Sequence, residues 1–166
     1  PAGAFLSINL SPATITGATF PRLIAGVERS RLVAEITEQA PIDDYGRLAD
    51  VLGELRALGM RLAIDDAGAG YSSLRHILEL RPDMIKLDAS LVRNIGSDRS
   101  KQALATGLVS FAAEIGSGMV AEGIEDEAEL EWLLTLGVEH GQGYLLGRPA
   151  PLQPEGGGHG YLPWGP

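Results

Sequence analysis

Two adjacent carboxylates, Asp65 and Asp66, follow an apolar run that ends at Ile64. A short apolar run bounded by turn residues is typical of a buried strand, so the two acids are predicted to lie where a strand ends. In α/β folds this end of a strand faces the ligand. Neighbouring like charges repel each other, and a bound cation relieves the repulsion. From these residues alone, the alternative is a polar turn that Asp-Asp simply opens.

Five other candidate strands also end in a polar side chain, and these side chains are Asn9, Glu35, Lys86, Glu122 and Gln142. Carboxylate and amide oxygens suit Mg²⁺ or Mn²⁺, whereas a chain with no cysteine and three histidines is a poor zinc binder. Pairs of such ions commonly hydrolyse phosphodiesters, because they neutralise the substrate and generate hydroxide. Lys86 stands between two apolar residues and is hard to explain as solvated surface. We therefore predict that it contacts a phosphate or the attacking water.

Several other polar residues have ordinary structural explanations. From the residues alone, Glu38 and Glu125 are either plain polar loop residues or supports of a site. For His76 and His140 a surface or structural role is favoured over metal ligation. Three glycines near the last strands indicate tight backbone turns: Gly123, Gly141 and Gly143.

Composition indicates one globular domain. The chain has 166 residues, of which 45% are hydrophobic and 21% charged, enough for a real core. A net charge of −9 argues against binding of polymeric nucleic acid, but not against a small anion held through metal ions. Without cysteine there are no disulfides, and a reducing compartment is mildly favoured. No apolar run approaches ~18 residues, so we expect a cytoplasmic chain, either free or as the cytoplasmic domain of a larger membrane-attached protein.

Strand and helix patterns alternate in six units. Strands are predicted at 4–10, 32–36, 62–65, 84–87, 119–121 and 138–144. Helical patterns cover 13–29, the segment from Asp43 to the stop at Gly59, about 72–80, 104–115 and the stripe around 130–134. The alternation predicts a mostly parallel sheet. Because every strand contributes a polar end residue, a closed barrel is favoured over an open sheet, in which mainly the strands beside the switch point meet the ligand.

A TIM-type barrel needs eight strands and about 250 residues. This chain provides about six strand–helix units, so we expect a barrel truncated at its N-terminus, or else an incorrect strand count. The segment 153–166 is rich in Gly and Pro and is predicted to be a flexible tail following a domain at 1–152.

Six motifs, in this order, resemble those of the EAL-domain cyclic di-GMP phosphodiesterases. They are NLSP from Asn9, EITE from Glu35, DDAGAGYSSL from Asp65, IKLD from Ile85, AEGIE from Ala121 and GQGYLLGRPAP from Gly141. The resemblance implies a TIM-like barrel with one antiparallel strand. It also implies Mg²⁺- or Mn²⁺-dependent hydrolysis of cyclic di-GMP to linear pGpG. Homodimer formation and sensory or GGDEF-type domains in the parent chain are expected on the same basis.

Motif positions imply a role for each site residue. Asn9, Glu35 and Asp65 resemble metal ligands, and Asp66 resembles a residue that reaches the second metal. Lys86 and Glu122 would act on the nucleophilic water and the second metal site, with Gln142 near the metal or water. Supporting positions are Glu38, which braces the loop after Asp66, its neighbour Glu125, and Asp88 near substrate or metal.

The chain also departs from the family pattern. The Glu-Ala-Leu segment that names the family is absent, and its glutamate is a metal ligand. Ala67 and Ala69 replace the usual Phe and Thr in the loop after the aspartates, and Asp126 replaces a Thr. We therefore expect weak or no activity from this chain alone, and association between copies through exposed strand edges. The alternatives are a non-catalytic cyclic di-GMP receptor and a degenerate regulatory or dimerisation module.

Overall fold

Strands and helices alternate along the chain in the order expected from the sequence. The computed structural model describes residues 5–37, 39–68, 72–150 and 162–163. The chain divides into two units, Ala2–Met84 and Ile85–Pro166, which we call the N-terminal and C-terminal units.

The N-terminal unit is built on three parallel strands, β1 (Leu6–Asn9), β2 (Leu32–Thr37) and β3 (Arg61–Ala67). The middle strand, β2, pairs with both of the others. Its first five residues are all buried, as expected for a parallel strand covered on both faces. The helices of this unit are α1 (Pro12–Ile15), α2 (Phe20–Leu23), α3 (Tyr45–Ala57) and α4 (Ser72–Leu80), with a 3₁₀ turn at Arg29–Arg31.

Helix α3 shows how local sequence sets an element in this unit. Its N-cap is Asp44, whose side chain accepts a hydrogen bond of 2.9 Å from the backbone N–H of Arg47. Its buried face is formed by Leu48, Leu52 and Leu55. The helix ends before Gly59, which has a φ of +91° that glycine adopts readily. Helix α3 and its apolar stripe are therefore confirmed.

The C-terminal unit begins within β4 (Met84–Leu87) and includes β5 (Gly118–Ala121), β6 (His140–Gly141) and β7 (Leu162–Pro163). Strands β5 and β6 are parallel, and β7 is antiparallel to β6. The helices are α5 (Ala89–Val92), α6 (Arg99–Glu114) and α7 (Glu127–Thr135), with a 3₁₀ turn at Ile95–Ser97. Apart from β7, the tail 153–166 lies outside the described residues, and its flexibility stays a prediction.

Two predicted elements were wrong in extent. The helical pattern over 13–29 forms two one-turn helices, because Pro12 and Pro21 each start a new turn and Gly26 adopts a φ of +83°. The strand predicted at 138–144 is paired in parallel with β5 only at His140–Gly141, and the chain then turns. Within the described residues, the helices are too short or too polar to cross a bilayer.

Helix α6 also differs from its sequence pattern. It begins at Arg99, five residues before the apolar stripe, because Asp98 caps it with hydrogen bonds from the N–H groups of Ser100 and Lys101. Leu104 and Ile115, the two ends of the stripe, are 48% and 40% exposed. The buried residues are Ala112, which belongs to the predicted stripe, and Ala105, which does not; both are small and allow close packing of the helix.

Candidate functional site

Three of the predicted metal ligands share one face of the N-terminal sheet. Asn9 lies directly beside Glu35 in the register of β1 and β2, and Glu35 lies beside Ala63 of β3. Residues two apart on a strand point to the same side, so Asp65 is on the face of Ala63. The side chains of Asn9, Glu35 and Asp65 therefore project from the same face, near the carboxyl ends of three adjacent strands.

Asp65 and Asp66 do not form a solvated polar turn. Asp65 is only 9% exposed and belongs to β3 rather than to a loop. Its Oδ1 accepts a 3.1 Å hydrogen bond from the backbone N–H of Asp66. Asp66 has a φ of +59°, a left-handed conformation that a non-glycine residue adopts at an energetic cost. A strained, acidic residue at a strand end favours a functional site over the polar-turn alternative.

Lys86, Glu122 and Gln142 form a second cluster, in the C-terminal unit. Lys86 is 4% exposed, and its Nζ lies 2.8 Å from Oε1 of Glu122. The amide Nε2 of Gln142 donates a hydrogen bond to the same oxygen. The sequence predicted that all three residues would stand at strand ends, and here they are in direct contact. The burial of Lys86 confirms the prediction that it is not a solvated surface residue.

Backbone contacts determine how this cluster is held. The N–H of Glu122 donates to the carbonyl of Leu87, and the N–H of Gln142 donates to the carbonyl of Ala121, at 3.1 and 2.8 Å. Gly143 leaves no room for a side chain, since a Cβ there would lie 2.1 Å from the carbonyl oxygen of Ile124. The predicted tight backbone at Gly143 is thus a close approach of two chain segments.

The three supporting positions have different outcomes. Asp88 is the N-cap of α5, and its Oδ1 accepts hydrogen bonds from the N–H and the hydroxyl of Ser90. Glu125 forms a partly exposed ion pair with Arg93. Glu38 lies outside the described residues. Proximity of Asp88 to substrate or metal, and the bracing roles of Glu38 and Glu125, stay predictions.

His76 has a structural role, which the sequence analysis favoured over metal ligation. It is 4% exposed, and its Nδ1 lies 2.8 Å from the hydroxyl of Tyr45. Its Nε2 is buried and has no hydrogen-bond partner among the described residues. Nothing in the local pattern around His76 indicated a contact with a residue 31 positions away.

Sequence reasoning overlooked Glu129. This residue is 2% exposed, and its carboxylate accepts hydrogen bonds from the backbone N–H groups of Asn94, Glu125 and Asp126. The spacing Asp126-x-x-Glu129 is a capping-box signature, which predicts the hydrogen bond from the N–H of Asp126. The bond from the N–H of Glu125 lies next to it in the chain but is not part of that signature. The third, to Asn94, joins residues 35 positions apart and has no signal in the sequence.

The donor set of the N-terminal unit fits a hard divalent cation. Asn9, Glu35 and Asp65 offer only oxygen atoms, and they share one sheet face. Oxygen ligands of this kind are those preferred by Mg²⁺ and Mn²⁺. Burial of Glu35 and Asp65, at 5% and 9% exposure, would be costly without a cation or hydrogen-bond donors beside them.

Solved structures define the class of fold. The chain is similar to the EAL domain of Mycobacterium smegmatis DcpA, with a TM-score of 0.81 and 33% identity over 87% of this chain and 68% of that one. It is also similar to Klebsiella pneumoniae BlrP1, solved with manganese and cyclic di-GMP, with a TM-score of 0.78 and 38% identity over 87% of this chain and 39% of that one. These similarities confirm the predicted TIM-like α/β barrel class.

Family membership follows from the sequence match. The family model described as the EAL domain matches residues 1–149, and the chain belongs to that family. One relative is the cyclic di-GMP phosphodiesterase PdeF of Escherichia coli K12, which is 35% identical over 152 residues covering 88% of this chain and 20% of PdeF. The chain spans about a fifth of the length of such curated relatives.

Proposed function

We propose that this chain belongs to an enzyme that hydrolyses cyclic di-GMP to linear pGpG in a metal-dependent reaction, and that the chain alone, without the Glu-Ala-Leu segment, is weakly active or inactive. The observation that carries the proposal is the buried Lys86–Glu122–Gln142 cluster in a chain of the EAL family. The relative PdeF is a cyclic di-GMP phosphodiesterase, and the similar BlrP1 structure is a complex with that nucleotide. Hydrolysis adds a water oxygen to phosphorus and breaks one bond from phosphorus to a ribose oxygen, which leaves as a hydroxyl.

Asn9, Glu35 and Asp65 would hold a divalent metal, with Asp66 reaching a second one. Bound metals would neutralise the phosphodiester and lower the pKa of a coordinated water. The manganese in the BlrP1 complex supports a divalent ion in this family. We propose Mn²⁺ or Mg²⁺ for this chain, because its donors are all oxygen.

Lys86 and Glu122 would act on the attacking water and on charge that develops at the phosphate. A buried ammonium can donate hydrogen bonds to a phosphate oxygen or a water, where low local polarity strengthens them. The Glu122 carboxylate is an acceptor that can orient a water or take its proton. Gln142 donates to that carboxylate and so fixes its orientation.

The wider setting belongs to the same proposal. We expect a homodimer, sensory or GGDEF-type domains in the parent chain, and a cytoplasmic location. The small share that the chain covers in its curated relatives supports the presence of further domains in proteins of this kind.

The test is cyclic di-GMP turnover with Mn²⁺ and with Mg²⁺, measured on the unsubstituted chain and on Asp65→Asn. This substitution keeps the shape of the side chain but removes the charge that a metal needs. The matched control is Asp50→Asn, the same change on the exposed face of α3. Turnover that is lost in Asp65→Asn and kept in Asp50→Asn supports the proposal. Binding without turnover indicates a receptor. The absence of both binding and turnover indicates either that activity requires a longer protein with the Glu-Ala-Leu segment or that the chain is a regulatory or dimerisation module.

A further inference from the structure

Glu129 connects two segments of the C-terminal unit that each follow a strand of the proposed site. Its Oε1 accepts a 2.8 Å hydrogen bond from the N–H of Asn94, in the segment after β4. Its Oε2 accepts hydrogen bonds of 2.8 and 3.3 Å from Glu125 and Asp126, in the segment after β5. Glu129 is only 2% exposed, and these three hydrogen-bond donors compensate its carboxylate for the lost hydration.

The segment after β4 has a left-handed residue at this contact. Strand β4 carries Lys86, and helix α5 follows it directly. Asn94 has a φ of +58°, a left-handed conformation that asparagine adopts more readily than most non-glycine residues but less readily than glycine. A charge-assisted hydrogen bond from its N–H to a buried carboxylate stabilises this conformation.

The segment after β5 is packed against the same region. Gly123, directly after Glu122, has a φ of +67°, and a Cβ on it would lie 2.5 Å from the Cβ of Ala89. The nearby ion pair of Arg93 and Glu125 also joins the two segments, but its side chains are 49% and 41% exposed. Exposed ion pairs contribute little, because water and salt screen them. The buried carboxylate of Glu129 is therefore the stronger connection.

We propose that Glu129 is a positioning residue that holds the ends of β4 and β5 together and so keeps Lys86 against Glu122. Its catalytic consequence rests on the proposed function, whereas its effect on the two segments does not. Within the part of the chain that the structure describes, the Glu129 carboxylate accepts hydrogen bonds from the backbone N–H groups of Asn94, Glu125 and Asp126. It therefore acts through the backbone that carries Lys86 and Glu122.

The experiment compares Glu129→Ala, Glu129→Gln and Asp126→Ala in the full-length protein. Asp126 caps the same turn of α7 by accepting from the N–H of Glu129, but it does not bond to Asn94, so it controls for loss of helix capping. Steady-state hydrolysis of cyclic di-GMP gives kcat and KM. Thermal unfolding measures stability, and hydrogen–deuterium exchange monitors the peptides 89–97 and 120–125.

Misplacement of reacting groups by about 1 Å can cost roughly 100-fold in rate. We expect the kcat of Glu129→Ala to be about 10- to 100-fold lower than that of Asp126→Ala when the two variants unfold at similar temperatures. The KM of Glu129→Ala should change by less than about twofold. Glu129→Gln keeps one acceptor oxygen and should restore part of kcat. Exchange should increase in both peptides for Glu129→Ala, but not in 89–97 for Asp126→Ala.

Equal losses of kcat in Glu129→Ala and Asp126→Ala would overturn the inference, as would unchanged exchange in both peptides. If the unsubstituted protein does not hydrolyse cyclic di-GMP, the proposed function fails by itself. The exchange comparison then decides the positioning role: selective opening of 89–97 and 120–125 in Glu129→Ala supports it, and equal protection in all variants overturns it.

Discussion

At the scale of single residues, the buried pair of Lys86 and Glu122 is expensive to maintain. Their side chains are 5% and 12% exposed, and removal of two charges from water costs several kcal/mol per ion before their attraction is counted. Apolar residues of similar size often stabilise such positions better. A buried pair at two strand ends, with Gln142 on the same oxygen, is therefore better explained by chemistry than by stability.

Replacement of Glu122 by glutamine tests this interpretation. Glu122→Gln keeps the size of the side chain but removes the anion beside the Lys86 ammonium. We expect turnover of cyclic di-GMP to fall by about 100-fold or more, as when other buried charge-stabilising groups are removed. Glu139→Gln, the same change at an exposed position of the C-terminal unit, should leave turnover unchanged. Full activity of Glu122→Gln would remove Glu122 from the proposed mechanism.

At the scale of elements, the strand ends and the glycines beside them hold the polar side chains in place. Gly143 lies so close to Ile124 that its missing side chain is part of the packing. The backbone N–H of Ile124 donates to the carbonyl of Gln142, so this approach also connects the segment after Glu122 with Gln142. A methyl group at position 143 would have to push these two segments apart.

A pair of glycine substitutions tests how much the close packing of Gly143 against Ile124 contributes to stability. Gly143→Ala should lower the free energy of unfolding by about 1–3 kcal/mol, the usual cost of overpacking. Gly53→Ala, in the middle of α3 with nothing within 4 Å of its Cβ, should raise it by about 0.5–1 kcal/mol, since alanine favours a helix over glycine. Urea unfolding measures both. If Gly143→Ala is as stable as the unsubstituted protein, the segments at Ile124 and Gly143 can move apart without a loss of folding free energy.

At the scale of the whole molecule, binding of a metal should couple to folding. Asn9, Glu35 and Asp65 come from three strands and share a face only when β1, β2 and β3 pair. A ligand that binds only the folded state stabilises it by mass action. Binding of a metal by these residues should therefore stabilise the protein against thermal unfolding.

Thermal unfolding with and without Mn²⁺ tests this coupling. At a metal concentration about 100 times Kd, the expected stabilisation is about 2.7 kcal/mol, and a chelator should reverse it. Asp65→Asn should lose most of the stabilisation, and Asp50→Asn should retain it. Equal stabilisation of the two variants would place the metal elsewhere in the protein.

The amino-acid sequence alone was enough to predict the order of elements, the polar residues at the strand ends and the oxygen-only donor set. The predicted limits of α4 (Ser72–Leu80) and β4 (Met84–Leu87) match the structure, because local periodicity and turn residues set them. The family followed from the motifs for the same reason, since each motif is a short local pattern at a strand end.

The contacts among these residues, in contrast, were set by the tertiary fold. Glu122 meets Lys86 and Gln142, and Glu129 meets Asn94, across separations of 20 to 36 residues in the chain. Such contacts depend on strand pairing and on the packing of helices, which local patterns do not specify. The same reason explains α6, in which Leu104 and Ile115 of the predicted stripe are partly exposed, whereas Ala112 of the stripe and Ala105 outside it are buried. Local chemistry predicts what a residue can do, and long-range packing determines with which partner it does so.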